Sequence, residues 1–99
     1  MTHETVLMAH FIVERFVPGS TSSDVRLWAQ ALGASIEALG VGNEITHLGS
    51  ELMSRDEICF CFFDAASADL VRKINDHAGT PYERILAGEA VRHSTEGDR

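Results

Sequence analysis

Ile58-Cys-Phe-Cys-Phe-Phe63 is an apolar run rich in aromatic side chains, and its reading as a strand decides the fold. Successive side chains of a strand point to opposite faces. Ile58, Phe60 and Phe62 therefore form one set, and Cys59, Cys61 and Phe63 the other. The first set is bulkier and is expected to meet the helices of the fold, which leaves Cys59, Cys61 and Phe63 facing outward. Positions two apart on a strand lie about 6.6–7 Å apart at Cα, the limit of disulfide geometry. Cys59 and Cys61 accordingly read as two reduced thiols, consistent with a reducing compartment.

Working outward from this strand, Ser54-Arg-Asp56 is polar and fits a hairpin loop. Ahead of it Glu44 to Met53 has strand character, with Gly49 as a bulge or a place of close approach. Further upstream, Met8 to Val17 is a β-branched and aromatic strand stopped by Pro18-Gly19. Ser20-Thr-Ser-Ser-Asp24 then offers capping hydroxyls, with Thr21 and Asp24 at the spacing of a capping box. Val25, Trp28, Leu32, Ser35, Ile36 and Leu39 recur at helical spacing until Gly40-Val-Gly42 ends the helix. Downstream of the central run, Asp64-Ala-Ala-Ser67 leads into a second amphipathic helix marked by Leu70, Val71, Ile74 and Ala78 and closed by Gly79-Thr-Pro81. A last strand is predicted from Arg84 to Val91.

The order β-α-β-β-α-β is that of an α+β ferredoxin-like sandwich, an antiparallel sheet with two helices on one face. The expected division is an N-terminal tail over 1–7, the domain over 8–92 and a polar C-terminal tail over 93–99. Ninety-nine residues, 44% hydrophobic and 23% charged with two prolines, suit one globular domain. Eight Lys and Arg against fifteen Asp and Glu give a net charge of -7, which disfavours nucleic acid and anionic membrane surfaces as partners. Apolar stretches fall short of the roughly 20 residues that span a bilayer. Met1-Thr-His-Glu-Thr5 lacks the basic start of a secretory signal, so a cytoplasmic location is expected. The helices cover one sheet face only. The other face, with apolar residues of its own, is expected to pair with a second copy as a homodimer.

Four strings resemble a family of short bacterial ferredoxin-like proteins, formerly a domain of unknown function, whose named member is a nickel-responsive, nickel-binding dimer. They are Phe11-Ile-Val-Glu-Arg-Phe16 with Pro18 behind it, His47 in the second strand, Cys61-Phe-Phe-Asp-Ala65, and Ala78-Gly-Thr-Pro-Tyr-Glu-Arg-Ile85. The resemblance spans about residues 10–91. It implies the fold, a dimer and a nickel site. In the nickel-binding branch it implies a histidine near the end of the first strand and two more in the second helix just before the glycine. This chain has Glu14 at the first place and Ile74 and Ala78 at the others, with only His77 nearby.

No strong catalytic motif is present, so the candidate residues are donors. A three-residue hairpin loop pairing Met53 with Glu57 puts His47 opposite Phe63, and His47, Glu51, Cys59 and Cys61 on the open face. A loop of two or four residues shifts the register by one and sends His47 to the helix side. On a shared face Glu14, His47 and Cys61 are candidate ligands for nickel or zinc, whose sites accept nitrogen and sulfur donors. The alternative is that the thiols simply pack, since free cysteine behaves as a small hydrophobe.

Glu14 and Arg15 adjoin on a strand and must face opposite ways. Glu14 is either an ion-pair partner for Arg84 or Arg92, or a desolvated base acting with His47. Trp28 reads as a core anchor, and His3 and His93 as solvated tail residues. Two other classes of function fit the fold. One is a cofactor-free monooxygenase or isomerase with Phe11, Trp28, Leu32, Phe60 and Phe62 around an apolar substrate. The other is a non-enzymatic interaction module.

Overall fold

The computed structural model describes residues 7–89 and residue 91. Six elements follow one another: β1 (Ala9–Phe16), α1 (Ser22–Leu39), β2 (Ile45–Met53), β3 (Ile58–Ala65), α2 (Ala68–Ala78) and β4 (Arg84–Gly88). The strands form one antiparallel sheet in the order β2-β3-β1-β4, so the molecule has the expected ferredoxin-like α+β fold. Apart from Leu7, the expected tails at 1–7 and 93–99, with His3 and His93, lie outside the described residues.

Local chemistry sets the helix ends. The Thr21 hydroxyl accepts from the Asp24 amide while the Asp24 carboxylate accepts from the Thr21 amide, which completes a capping box at the start of α1. Ser67 caps α2 through the Leu70 amide. Both helices end on a glycine in the left-handed region, Gly40 at φ 68° and Gly79 at φ 71°, a conformation that costs other residues a Cβ clash. The last strand stops at Gly88 instead of the predicted Val91. His10 pairs with Gly88, and β1 begins one residue earlier at Ala9, so β4 runs out of partner.

The predicted inward and outward sets of β3 are reversed. Cys59, Cys61, Phe63 and Ala65 are buried beneath the helices, with Phe11, Val13, Arg15 and Val17 from β1 and its C-terminal end. Leu32 of α1 and Val71 and Ile74 of α2 complete this core. Ile58, Phe60 and Phe62 lie on the uncovered face, only partly buried. The physical reason is alternation. Asp64 shares its face with Phe62 and Phe60, and turning that set inward would bury a carboxylate.

The hairpin joins β2 to β3 through a four-residue turn, with Met53 opposite Ile58 and Glu57 in the left-handed region at φ 58°. That turn shifts the register by one from the three-residue alternative. A bulge between His47 and Gly49 then shifts it back, so His47 lies opposite Phe63 after all. Gly49, at φ 152°, supplies the backbone freedom the bulge needs. His47 and the thiols do share a face, but it is the buried one.

Candidate functional site

Alternation along β1 places Arg15 inward, on the same side as Phe11 and Val13, and it is fully buried at 0% exposure. Arg15 pairs with Cys59 across the β1–β3 ladder and reaches diagonally to the next inward residue, Cys61. Its Nε donates to Cys61 Sγ at 3.3 Å, Nη1 to the Pro81 carbonyl at 2.8 Å and Nη2 to Asn75 Oδ1 at 2.6 Å. Asn75 is itself buried in α2, donating to the Val71 carbonyl and accepting from the Thr80 hydroxyl. One guanidinium thus ties β1, β3, the end of α2 and the approach to β4 together.

No carboxylate contacts Arg15 among the described residues; its acceptors are an amide, a peptide carbonyl and a thiol. A guanidinium cannot shed its proton in a protein, and an unpaired buried charge costs several kcal/mol. Among the described residues Cys61 is the one acidic group hydrogen-bonded to it. On the other side of the sulfur, Ser50 Oγ lies at 3.0 Å, and His47 Nε2 lies 3.2 Å from Ser50 Oγ. His47 stacks on Phe63 with ring centroids 4.9 Å apart and is only partly buried. A chain of hydrogen bonds therefore runs from the buried sulfur toward the surface.

The two thiols diverge in acidity. Burial pushes Cys61 up, but hydrogen bonding from His47, the Arg15 charge, and the bonds from Ser50 and Arg15 outweigh it and bring it from 9.0 down to about 7. Cys59 is raised to about 12 by burial and by the adjoining Cys61, against the lowering pull of Arg15. Both are free thiols. Cys61 is therefore the more acidic of the two thiols.

The expected ligand set Glu14, His47 and Cys61 is not brought together. Glu14 lies on the opposite face, in an ion pair with Arg84, one of the two structural partners foreseen for it. It forms no acid–base pair with His47, because strand alternation puts the whole sheet between them. Among the described residues no group of three or more His, Cys, Asp or Glu converges. A dication on Cys61 would also lie beside the fixed Arg15 charge, a repulsion on the order of several kcal/mol. The aromatic lining foreseen for a substrate is likewise split: Phe11 and Leu32 are core residues, whereas Phe60 and Phe62 are on the open face. No cavity opens among the described residues. Trp28 packs against the core, as expected.

Sequence reasoning missed the buried role of Arg15, although its parity with Phe11, Val13 and Val17 signals it. It also missed a pair on the open face. His10 Nδ1 lies 3.1 Å from Asp64 Oδ1, and the imidazole stacks over Phe62 at 6.3 Å. A carboxylate only accepts, so the bond fixes the proton on Nδ1 and leaves Nε2 free. His77, the histidine noted near Gly79, instead bridges the helices through Ser35 Oγ at 2.8 Å.

No helix among the described residues is long and apolar enough to cross a membrane. The fold is similar to that in the crystal structure of SCO4226 from Streptomyces coelicolor A3(2), with a TM-score of 0.74 and 19% sequence identity over 85% of this chain and 100% of that one. None of the curated proteins matches the sequence. Residues 11–87, nearly the whole of the folded unit, match the family described as nickel responsive protein SCO4226-like. The chain belongs to that SCO4226-like family.

Proposed function

We propose that this chain is a non-enzymatic homodimer that closes over its open sheet face and takes up a divalent transition metal, nickel foremost, through His10 on that face. The observation that carries the reading is the His10–Asp64 pair set in an uncovered apolar field. A metal-ligating histidine characteristically donates its other ring N–H to a carboxylate, which orients the ring and raises its basicity. His10 and Asp64 have that arrangement, both partly exposed. Among the described residues one chain offers a single free imidazole nitrogen there; the remaining ligands come from water or from a second copy. Nickel suits an imidazole donor, and family membership supports nickel as the metal to test first.

The dimer reading rests on the same face. Ile12, Phe60 and Phe62 are half-buried in the middle of the sheet, with Phe16 54% and Leu86 37% exposed at its margins. A continuous apolar patch of this kind on a small domain marks an interaction surface, and an isologous pairing of two such faces needs no other partner. Light scattering over a dilution series tests it. The expected mass is that of two chains, falling to one chain in Phe62→Asp with the circular dichroism spectrum unchanged. A wild-type monomer at micromolar concentration contradicts the dimer, and an absence of heat on titrating nickel or zinc into chelator-treated protein contradicts the metal site.

A further inference from the structure

We infer that Cys61 is a site of reversible oxidation by small hydroperoxides, in which Arg15 holds the sulfur as an anion and Ser50 and His47 deliver the proton that the reduction of peroxide requires. The inference is independent of the metal and dimer reading, which concerns the other face of the sheet.

Two observations of different kinds carry it. The first is the charge balance around Arg15. A fully buried guanidinium whose other acceptors are neutral has Cys61 Sγ, 3.3 Å away, as its one hydrogen-bonded group able to become an anion among the described residues. A thiolate is the nucleophilic form of cysteine. The second is the relay. Ser50 Oγ touches the sulfur, and the partly exposed His47 touches Ser50, so groups able to carry a proton run from the sulfur toward the surface. A cysteine that merely fills space needs neither.

The step balances. The Cys61 thiolate attacks one oxygen of hydrogen peroxide, forming an S–O bond and breaking the O–O bond. The sulfur loses two electrons to give a sulfenic acid, and the departing hydroxide takes a proton passed from solvent through His47 and Ser50, so that it leaves as water and both relay residues end as they began. Two equivalents of a small thiol reverse it, forming one disulfide and one water. Cys59 stands two residues away on the same face but holds its proton, so it competes weakly both as the site of attack and as a resolving thiol. Cys61 is 1% exposed, so the reaction requires a local opening, which a molecule the size of peroxide needs less of than a bulky thiol reagent.

The test uses the whole reduced chain at pH 7.4. After brief exposure to hydrogen peroxide, catalase quenching and trapping with dimedone in urea, mass spectrometry of peptides separates the two cysteines. The expected result is an adduct on Cys61 at least tenfold above that on Cys59, abolished when dithiothreitol is added after the catalase quench and removed before dimedone, and equal adducts when peroxide is added in urea. Ser50→Ala, a small change that the fold should accept, is expected to slow sulfenylation of Cys61 by about tenfold or more, the usual weight of a positioned proton donor. Equal labelling of the two cysteines in the folded chain overturns the inference. So does labelling of Cys61 no faster than in unfolded protein, or a Ser50→Ala rate equal to wild type.

Discussion

Glu14 and Arg15 are neighbours in sequence and oppositely charged, yet they lie on opposite faces of β1 with unlike surroundings. Glu14 meets Arg84 at the exposed margin of the open face; Arg15 is buried among a thiol, an amide and a peptide carbonyl. Water screens the first pair and not the second. An exposed ion pair contributes about 0–1 kcal/mol, whereas removing one partner of a buried charged network costs about 3–5 kcal/mol because the other groups stay desolvated. The covered face is thus self-contained and held by its own polar bonds, while the open face keeps apolar area and one oriented histidine for something else.

The largest expected effect is at Arg15. Arg15→Met leaves Cys61, Asn75 and the Pro81 carbonyl without their donor, and urea denaturation should show a loss of about 3–5 kcal/mol. A loss under about 1 kcal/mol would mean that the interior network is not what joins α2 and β4 to the sheet.

Next in size is a pH dependence confined to the covered face. Cys61 has a folded value near 7 against 9.0 unfolded, so its contribution is fully present above pH 9 and is lost as pH falls through 7. Two pH units correspond to about 2–3 kcal/mol. Cys59, raised to about 12, works the other way: its contribution is present below pH 9 and is lost as pH rises toward 12. The stability difference between wild type and Cys61→Ser should therefore grow by about 2–3 kcal/mol between pH 6.5 and 9. A difference flat across that range contradicts a charge-paired thiolate.

Smaller again, Asp64→Asn on the open face is expected to weaken nickel binding about 10–100-fold by releasing His10 from its orienting carboxylate, with unfolding free energy little altered. The smallest effect is Glu14→Gln, within about 1 kcal/mol in urea, even though it neutralises the residue next to Arg15.

Much of the fold is legible in the sequence. The capping box at Thr21 and Asp24, the glycines at 40 and 79 and the two helical stripes are local signals, and each has its predicted place. The facing of β3 is not a matter of bulk. Phe60 and Phe62 are larger than the cysteines, but the charge on Asp64 decides which set remains in water. Parity alone exposes that choice, and it also shows Arg15 among core residues. The position of His47 depends on two non-local irregularities, a four-residue turn and a bulge after His47, whose shifts cancel. Gly49 hints at the bulge, but the residue left over in it, Leu48, carries no local mark. The His10–Asp64 pair is non-local too: its members are 54 positions apart and meet only through the β1–β3 register.

Calorimetric titration of nickel into chelator-treated wild type, His10→Ala and His47→Ala tests most directly whether metal uptake belongs to the open face. The account predicts binding that is lost in His10→Ala and retained in His47→Ala. Binding retained in His10→Ala and lost in His47→Ala would contradict it and return the metal to the covered face.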